Sequence, residues 1–546
     1  RVKRVVDQAT LLTLRDHSSA RELQDMAVTR TDLHVTADPV FHLSPADPQR
    51  AAALLAGSGV LTDERRARMD ASLTRHGEHL VRSHDTFHKL SNWGILQDNG
   101  LYLLGLYLGR QDWCALAARR MDENLHRSVF ADGSQWEQSP LYHCEVLHCA
   151  LNTLHYAQAA GQTLPDRMVE NIRRMCAALA KWCKPNGELL LQSDSDTVDA
   201  RDLLVLGAAL LNDADLYACG GGQLWEENLW DLGTETEALW AARPAGKRQT
   251  ASAALPDSGN YMLRGAHESF VHMHCGCLGS GHGHADLLHI DAGIAGEDVL
   301  TDAGRYTYVN DPTRHALKGP AAHNTTRVDG CDFSTCLDSW GYSALAVPVK
   351  GEYRFTETAD FVSGAHLGYL DKGLFTERKL VFLKQQGVLL VFDRLTGKGT
   401  HTFEQSFHFA PGALTLTGQT AHWQGKTAAA VLYCLGGGLT LTAHKALLAP
   451  VYNRLEQTDA LTVQRTATDG NWFVTALQLK PDVAAPDMTA ELLPVRKLRL
   501  QTPLTDAEAQ AVRLAINGQE TVVLLCHGEV ISEVDLLAAG CYAAYG

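Results

Sequence analysis

The chain has 546 residues, of which 45% are hydrophobic and 20% charged, and a formal net charge of −15. That length is more than one hydrophobic core usually holds, so two or three domains are expected. The acidic balance excludes broad nucleic-acid binding, which requires a basic face, and no apolar run reaches the roughly 20 residues of a membrane-spanning helix.

The thirteen cysteines include no CxxC pair, which is typical of buried thiols in a reducing compartment rather than of a disulfide framework. The N-terminus, which begins at Arg1, has no apolar signal region. Both features favour the cytoplasm, and a periplasmic location is the alternative if the N-terminus has been trimmed.

Residues 1–45 carry weak periodic signals and are expected to form an N-terminal helical or irregular segment. Over residues 46–245 the apolar residues recur at helical spacing, for example in 101–121 and 168–182. The pair Ser139 and Pro140 marks one helix start, because a capping hydroxyl precedes a proline at the first helical position. Close helices joined by short turns predict stacked antiparallel hairpins, arranged as a bundle or as an (α/α) toroid.

The pattern changes after the Pro- and Ala-rich stretch that ends at residue 256. Short apolar-rich runs, such as 261–264, 270–274 and 388–392, are separated by Gly, Asn and Asp turns and read as strands. No regular helix alternates with these runs, which argues against a βαβ domain. The sequence therefore predicts an α+β multidomain protein whose residues 256–546 form a large antiparallel β-sandwich, with two sub-sheets as an open option.

The densest cluster of metal-binding residue types is the motif HGHAD at residues 282–286. If this segment is a strand, side chains at i and i+2 share a face and project together. A predicted hairpin turn brings Asp302 back toward the motif, and His323 arrives from a later segment. The arrangement predicts a divalent metal ion, zinc, bound by His284, Asp302 and His323, with His282 left to move protons. Three other histidines lack such neighbours and are expected to be structural: His272, His274 and His289.

The helical half carries a second group of candidate residues around Asn92 and Tyr142. With Ser139 as the cap, Tyr142 falls in the first turn of its helix, where the positive end of the helix dipole favours a phenolate. Tyr142 is therefore a candidate proton-transfer group. On residue type alone, Asn92 is equally a turn or cap residue and Tyr142 a surface aromatic, so these alternatives stay open.

Five segments join these residues into one pattern. In chain order they are NWGILQDN, ADGSQWEQSPLYH, HGHADLLHIDAG, LTDAGRYTY and AHNTTRVDG, and they resemble the successive signatures of the heparinase II/III family of polysaccharide lyases. The resemblance spans about residues 80–400 and, more loosely, the remaining strands. It implies an incomplete (α/α) toroid followed by an antiparallel β-sandwich, in agreement with the change in periodicity.

The family that the chain resembles cleaves uronic-acid-containing polysaccharides by β-elimination. By resemblance, Asn92 holds the uronate carboxylate and stabilises the enolate-like charge, while Tyr142 and His282 transfer protons. Tyrosine would serve when the C5 proton and the leaving oxygen lie on one face of the sugar. A histidine on the opposite face would take the proton of the other C5 epimer.

The resemblance also implies metal and substrate contacts. His284, Asp302 and His323 match the metal-ligand positions of zinc-containing members, so a structural Zn²⁺ that braces the site is expected. Seven residues are expected to contact the substrate or to orient the site: Trp93, Trp136, Glu137, His143, Arg305, Arg314 and Lys318. The tryptophans would stack on sugars, and the basic side chains would bind carboxylate or sulfate groups. The ordinary alternatives are core packing, helix capping and solvated surface charge.

The predicted function is cleavage of an anionic oligo- or polysaccharide, of heparin, heparan sulfate or alginate type, to 4,5-unsaturated uronate products. The acidic charge and the lack of an export signal favour exolytic action on small imported oligosaccharides. No nucleic-acid or membrane partner is expected, and a homodimer is left open.

Rival functions remain open on the sequence alone. HGHAD also resembles the motif of metallo-β-lactamase-type hydrolases, although Leu287 stands where that family has a histidine, so a metal-dependent hydrolase is one alternative. A non-catalytic glycan-binding protein on a lyase scaffold is another. A glycoside hydrolase ranks last because it needs two paired carboxylates, and nothing in the sequence pairs any two of Asp98, Asp132 and Glu137.

Overall fold

The computed structural model describes residues 62–233, 245–497 and 502–527, and the backbone of three short strands elsewhere. Two of these strands, β1 (Leu12–Leu14) and β2 (Leu33–Val35), pair in parallel. The third is β26 (Leu536–Ala538). The predicted N-terminal segment, residues 1–45, otherwise lies outside the described residues.

Helices make up the first part of the described chain. In order they are α1 (Asp63–Arg82), α2 (Asn92–Tyr107), α3 (Gln111–Ser128), α4 (Pro140–Ala159), α5 (Asp166–Trp182), α6 (Arg201–Leu211), α7 (Ala214–Cys219) and α8 (Glu226–Leu232). The helix start predicted at Ser139 is confirmed, because its hydroxyl accepts a hydrogen bond from the backbone N–H of Tyr142 and Pro140 occupies the first turn.

The helices pack as neighbouring hairpins. Helix α2 contacts α3 and α4, and α5 contacts α3 and α4. Their inner faces share a core of buried apolar side chains that includes Ile95, Met121, Leu147 and Ile172. The predicted helical region is confirmed, while its closure into a toroid stays a prediction. None of the helices in the described ranges is long and apolar enough to cross a membrane.

From Ala253 onward the chain folds into antiparallel sheets. One sheet contains, in spatial order, β3 (Ala253–Leu255), β4 (Asn260–Arg264), β5 (Phe270–His274), β6 (Ile290–Ile294) and β7 (Glu297–Leu300). A second contains β11 (Pro348–Phe355), β12 (Ala359–His366), β13 (Leu374–Leu383), β14 (Val388–Gly397), β21 (Asn471–Lys480), β18 (Ala429–Leu435), β17 (Thr420–Gln424) and β16 (Ala413–Thr417).

A third sheet contains β19 (Thr440–Val451), β20 (Arg454–Thr468), β15 (Thr400–His408) and β8 (Thr326–Val328). Two smaller pairings join β9 (Thr335–Cys336) to β10 (Tyr342–Ala344) and β23 (Val495–Lys497) to β26. A three-stranded sheet contains, in spatial order, β22 (Thr489–Leu493), β24 (Ala509–Ile516) and β25 (Gln519–Cys526). A short helix, α9 (Pro312–Lys318), lies between β7 and β8.

The three larger sheets share one apolar core. Ile290, Phe382 and Phe407 contribute to it from the first, second and third sheet. Strand β13 alternates between buried and partly buried residues, as expected of a strand with one face covered. The predicted antiparallel β region is therefore confirmed.

The HGHAD segment does not form the strand predicted for it. Strand β5 ends at His274 and β6 begins at Ile290, and the residues between them form an irregular loop. The hairpin after it agrees with the prediction, since Ala295 and Gly296 both have positive φ and connect β6 to β7. The histidines of the motif are therefore positioned by a loop. The alternation of a strand does not determine where their side chains point.

The helical and β parts meet along α5. Its Ala178 and Trp182 join a small apolar cluster with residues of β3, β4 and β5. The guanidinium of Arg264 in β4 donates to the backbone carbonyls of Lys181 and Cys183. The loop that follows α5, residues 191–196, also runs between the two parts and contributes to the site described next.

Candidate active site

The two predicted proton-transfer residues lie in direct contact. The rings of Tyr142 and His282 stack with their centroids 3.6 Å apart and their planes 20° from parallel. Tyr142 comes from the first turn of α4 and is 7% exposed, while His282 comes from the loop between β5 and β6. The helical and β parts therefore each supply one half of this pair.

The Tyr142 hydroxyl is held by a chain of polar groups. It shares a hydrogen bond of 2.7 Å with the hydroxyl of Tyr308. Arg305 donates to the Tyr308 hydroxyl at 2.6 Å and binds both carboxylate oxygens of Asp196. Burial raises the pKa of Tyr142, and the nearby Arg305 only partly opposes this. The expectation that the helix dipole favours a phenolate is therefore wrong for this arrangement, because desolvation of the buried hydroxyl is the larger effect.

His282 is held on its other side by Asp194. The Nδ1–H of His282 donates to Asp194 Oδ2 at 3.0 Å, and the Nε2–H of His284 donates to Asp194 Oδ1 at 2.9 Å. Arg314 contacts both oxygens of the same carboxylate, which is fully buried. Burial favours the neutral carboxyl, but the Arg314 charge and the two histidine hydrogen bonds outweigh it and hold the pKa of Asp194 well below its usual range.

Asn92 joins the site through Glu137. Asn92 is the first residue of α2, and its backbone N–H donates to Glu137 Oε1 at 3.2 Å. The other oxygen, Glu137 Oε2, lies 3.8 Å from His282 Nε2 and has no hydrogen-bond partner within the described part of the chain. Burial raises the pKa of Glu137, although the nearby His282 opposes the shift. In its protonated form the Glu137 carboxyl is a hydrogen-bond donor beside Asn92.

Aromatic side chains border the site on both parts of the protein. Trp93 is 59% exposed and packs edge-on against Phe87, while Trp136 is partly buried and donates from Nε1 to the carbonyl of Leu90. On the β side, Trp340 is 50% exposed, stacks on Tyr308 at 5.0 Å and meets the edge of the His282 ring at 5.5 Å. These rings offer faces on which a sugar can stack.

Four of the predicted substrate-contact residues are turned inward instead. His143 is fully buried, where it accepts from the Gln135 backbone and donates to the Met175 carbonyl, and burial lowers its pKa to about 4. Arg305 is bound to Asp196 and Arg314 to Asp194.

Lys318 is the fourth. Its ammonium group donates to the carbonyls of Gly281 and Ser339 at 2.8 and 3.0 Å, and burial lowers its pKa to about 8. The donors of Arg305, Arg314 and Lys318 contact internal acceptors, and binding of substrate anions by these side chains stays a prediction. Lys318 instead ties the HGHAD loop to the loop that carries Trp340.

Three buried residues group their ligand atoms closely enough to hold a metal ion. The ligand atoms of His289, Asp302 and His323 lie within 4.8 Å of one another. His323 Nδ1 is 2.9 Å from Asp302 Oδ2, and its Nε2 atom is buried without a hydrogen-bond partner among the described residues. The Nε2 atom of His289 lies 3.1 Å from Asp291 Oδ1 and 3.6 Å from Asp302 Oδ2. Two imidazoles and a carboxylate are ligands typical of zinc, so the residues present fit such an ion.

This group of close ligand atoms differs from the predicted metal ligands in a single member. His289 belongs to the close group, although the sequence analysis assigned it a structural role, and His284 does not. The His284 ring lies 5.7 Å from the His323 ring, and its Nε2–H is bound to Asp194. The Nδ1 atom of His284 is buried and has no hydrogen-bond partner in the described ranges. It is therefore the His284 atom that is available to bind an ion. His272 and His274 are paired with Asp291 and Asp286, in agreement with structural roles.

Four residues of the site were not found in the sequence analysis: Asp194, Asp196, Tyr308 and Trp340. The alternating Ser and Asp residues of 193–196 directly after a helical run, and the second tyrosine of the LTDAGRYTY segment, are the signals that the sequence offers. Neither signal identifies a partner. The contacts of Asp194 with His282, of Asp196 with Arg305 and of Tyr308 with Tyr142 join segments distant in the chain.

Comparison with solved structures identifies the fold of the chain. The structure of a heparinase III matches with a TM-score of 0.70 and 14% identity over 88% of this chain and 72% of that one. Heparan sulfate lyase HepC from Pedobacter heparinus matches with a TM-score of 0.66 and 17% identity over 87% of this chain and 72% of that one. At such identities the likeness is one of fold.

Family models then identify the family itself. The model described as heparinase II/III N-terminus matches residues 50–209, and the model described as heparinase II/III-like, C-terminal matches residues 247–495. The chain belongs to the heparinase II/III family. A search of curated proteins finds no match to it.

Proposed function

We propose that the protein is a polysaccharide lyase that cleaves uronic-acid-containing glycans by β-elimination and leaves a 4,5-unsaturated uronate at the new end. The observation that carries the proposal is the stacked pair of Tyr142 and His282, with Asn92 joined to it through Glu137. Family membership supports the same reaction class. The substrate class is a heparan-like or alginate-like glycan.

Asn92 and Glu137 would neutralise the uronate carboxylate. The C5 proton of a uronate is weakly acidic until its carboxylate is held by hydrogen-bond donors that also stabilise the enolate-like charge. Among the described residues, the Asn92 side-chain amide has no internal partner. A neutral Glu137 carboxyl would add a second donor beside it.

Tyr142 and His282 would move the two protons. One group removes the C5 proton, and the other, or the same group in its protonated state, protonates the leaving oxygen at C4. Rings stacked at 3.6 Å leave no space for a sugar between them. The expectation that they act from opposite faces is therefore not met in this arrangement, and both would approach from one side.

Approach from one side implies syn elimination. In glucuronate and mannuronate the C5 hydrogen and the C4 oxygen lie on the same face of the ring, whereas in iduronate and guluronate they lie on opposite faces. We therefore expect glycans of glucuronate or mannuronate to be cleaved faster than glycans of iduronate or guluronate. This preference follows from the stacked geometry, not from any charge at the site.

A zinc ion bound by His289, Asp302 and His323, with His284 beside them, is part of the proposal. When bound, such an ion supplies fixed positive charge and ligand geometry rather than redox chemistry. Because His284 and His282 share the Asp194 carboxylate, the residues of this cluster would hold the HGHAD loop in place. The role is structural.

The experiment is to follow ultraviolet absorbance of the conjugated uronate with heparan sulfate, mannuronate blocks and guluronate blocks as separate substrates. An absorbance rise with a glucuronate- or mannuronate-containing glycan is expected. New reducing ends without any absorbance rise, lost on chelation, would instead identify a metal-dependent hydrolase. Binding without any product would identify a glycan-binding protein.

Exolytic action, cytoplasmic location and a homodimer remain predictions. Exolytic cleavage releases small products while the polymer keeps its size, so size-exclusion profiles taken early in the reaction distinguish it from endolytic cleavage. Early collapse of polymer length would contradict it.

A further inference from the structure

We propose that Asp194 is a positioning residue: its carboxylate sets the orientation of the His282 ring, with Nδ1 toward the protein interior and Nε2 toward Glu137 and the cleft. This inference rests on the proposed function, since it assigns Asp194 a part in proton transfer. The distances are 3.0 Å from His282 Nδ1 to Asp194 and 3.8 Å from His282 Nε2 to Glu137.

The backbone around His282 does not fix its ring. His282 stands between Gly281 and Gly283 in an irregular loop and keeps 12% of its side chain exposed. Within the described chain, Asp194 is the one side chain that hydrogen-bonds to the ring. Loss of that acceptor would free the ring to rotate away from Tyr142.

Asp194 also connects the two elements that carry the proton-transfer groups. Its backbone N–H donates to the carbonyl of His282 at 3.0 Å, and its carbonyl accepts from the Ser139 hydroxyl at 2.8 Å. Ser139 is the N-cap of α4, the helix whose first turn contains Tyr142. One residue therefore contacts the loop of His282 and the helix start of Tyr142.

Ser193, the residue before Asp194, is held in an unusual backbone conformation. Ser193 has a φ of 58°, in the left-handed region that non-glycine residues rarely adopt. Such conformations persist where surrounding contacts determine the backbone, and they concentrate at functional sites. The strained turn directs the Asp194 carboxylate to the two histidines.

A simpler role for Asp194 would be to neutralise Arg314. The two residues form a fully buried ion pair, and removing one partner alone would leave an uncompensated buried charge that can unfold the protein. The two roles predict different outcomes when both charges are removed together. Replacement of a buried ion pair by apolar residues of similar volume is often neutral for stability.

The test is the double variant Asp194→Leu/Arg314→Met. If Asp194 positions His282, kcat for the absorbance assay falls by about 100-fold or more while KM changes little. If Asp194 only balances Arg314, the double variant has near-normal kcat, which overturns the proposal. Asp194→Asn keeps one acceptor oxygen and should retain more kcat than the double variant; equal loss in both would also count against the proposal.

The matched control breaks another carboxylate–cation pair that joins the helical and β parts. Asp298 binds the ammonium group of Lys184 at 2.9 Å and touches none of the site residues. Asp298→Asn should lower the melting temperature and leave kcat unchanged. If kcat fell in Asp298→Asn as much as in the Asp194 variant, the loss would come from weaker packing of the helical part against the β part. The proposal for Asp194 would then be wrong.

A crystal structure of the variant decides the proposal independently of the lyase reaction. The His282 ring should leave its stacked position on Tyr142 in Asp194→Leu/Arg314→Met, or in Asp194→Asn if the double variant does not fold. An unmoved ring refutes the positioning role even if activity is lost. If the wild-type protein forms no unsaturated product, the proposed function fails, and the ring position still tests Asp194.

Discussion

Replacing Tyr142 by phenylalanine should abolish the lyase reaction while leaving the fold almost unchanged. The substitution keeps the ring that stacks on His282 and removes only the hydroxyl that bonds to Tyr308 at 2.7 Å. Tyr308 keeps its hydrogen bond from Arg305, so the free energy of unfolding should fall by about 1 kcal/mol. General acid–base catalysis contributes roughly 10²–10⁴-fold, which raises the barrier by about 3–5 kcal/mol when it is lost.

The assay compares initial rates of absorbance increase and the denaturant midpoint of each variant. Tyr102→Phe is the matched control, because the buried Tyr102 hydroxyl also makes a hydrogen bond of 2.7 Å, to Gln162, within the helical part. The control should lose similar stability and keep full activity. A rate for Tyr142→Phe within tenfold of the wild type, or equal rate losses in the two variants, would refute the assigned role.

Three further predictions concern groups at and near the site. Glu137→Gln keeps a donor of the same shape and should retain most activity, whereas Glu137→Ala should lose it; equal loss in both would require an ionised carboxylate. Burial raises the pKa of Asp98 from its ordinary 3.8 to about 7, so the folded state binds the proton more tightly and stability falls as pH rises between these values. Urea unfolding across this pH range should therefore show the wild type losing stability relative to Asp98→Asn as pH rises, and a constant difference between the two proteins would contradict the shift. His323→Ala should lose bound zinc, measured by elemental analysis of purified protein, while metal content equal to that of the wild type would remove His323 from the ligand set.

The fold could be predicted from the sequence because its signals are local. Helical spacing in 168–182 and the short apolar run in 388–392 each report on a few neighbouring residues, and both segments have the predicted structure. The loop at 282–286 shows the limit of this reasoning. Its alternating histidines imitate a strand, yet remote contacts determine where they point.

The site could be predicted only in part for the same reason. Asn92, Tyr142 and His282 were found because they lie in recognisable segments. Asp194 lies 88 positions from His282, and Tyr308 lies 166 positions from Tyr142, so no periodicity connects them. Arg305, Arg314 and Lys318 were expected to bind substrate anions because a sequence does not reveal the internal acceptors that these side chains contact.

Polar contacts between the two parts of the protein explain why the site needs both. The apolar cluster at the junction is small, whereas several hydrogen bonds and ion pairs cross it. The backbone N–H of Ser258 donates to the Asp132 carboxylate at 2.9 Å, and Arg305 binds Asp196. These bonds are directional, so they fix the relative position of the parts more tightly than an apolar contact of equal area would. The distance between Tyr142 and His282 is therefore set by the contacts nearest to them, and loss of the pair of Arg305 and Asp196 should appear as lost activity before it appears as lost secondary structure.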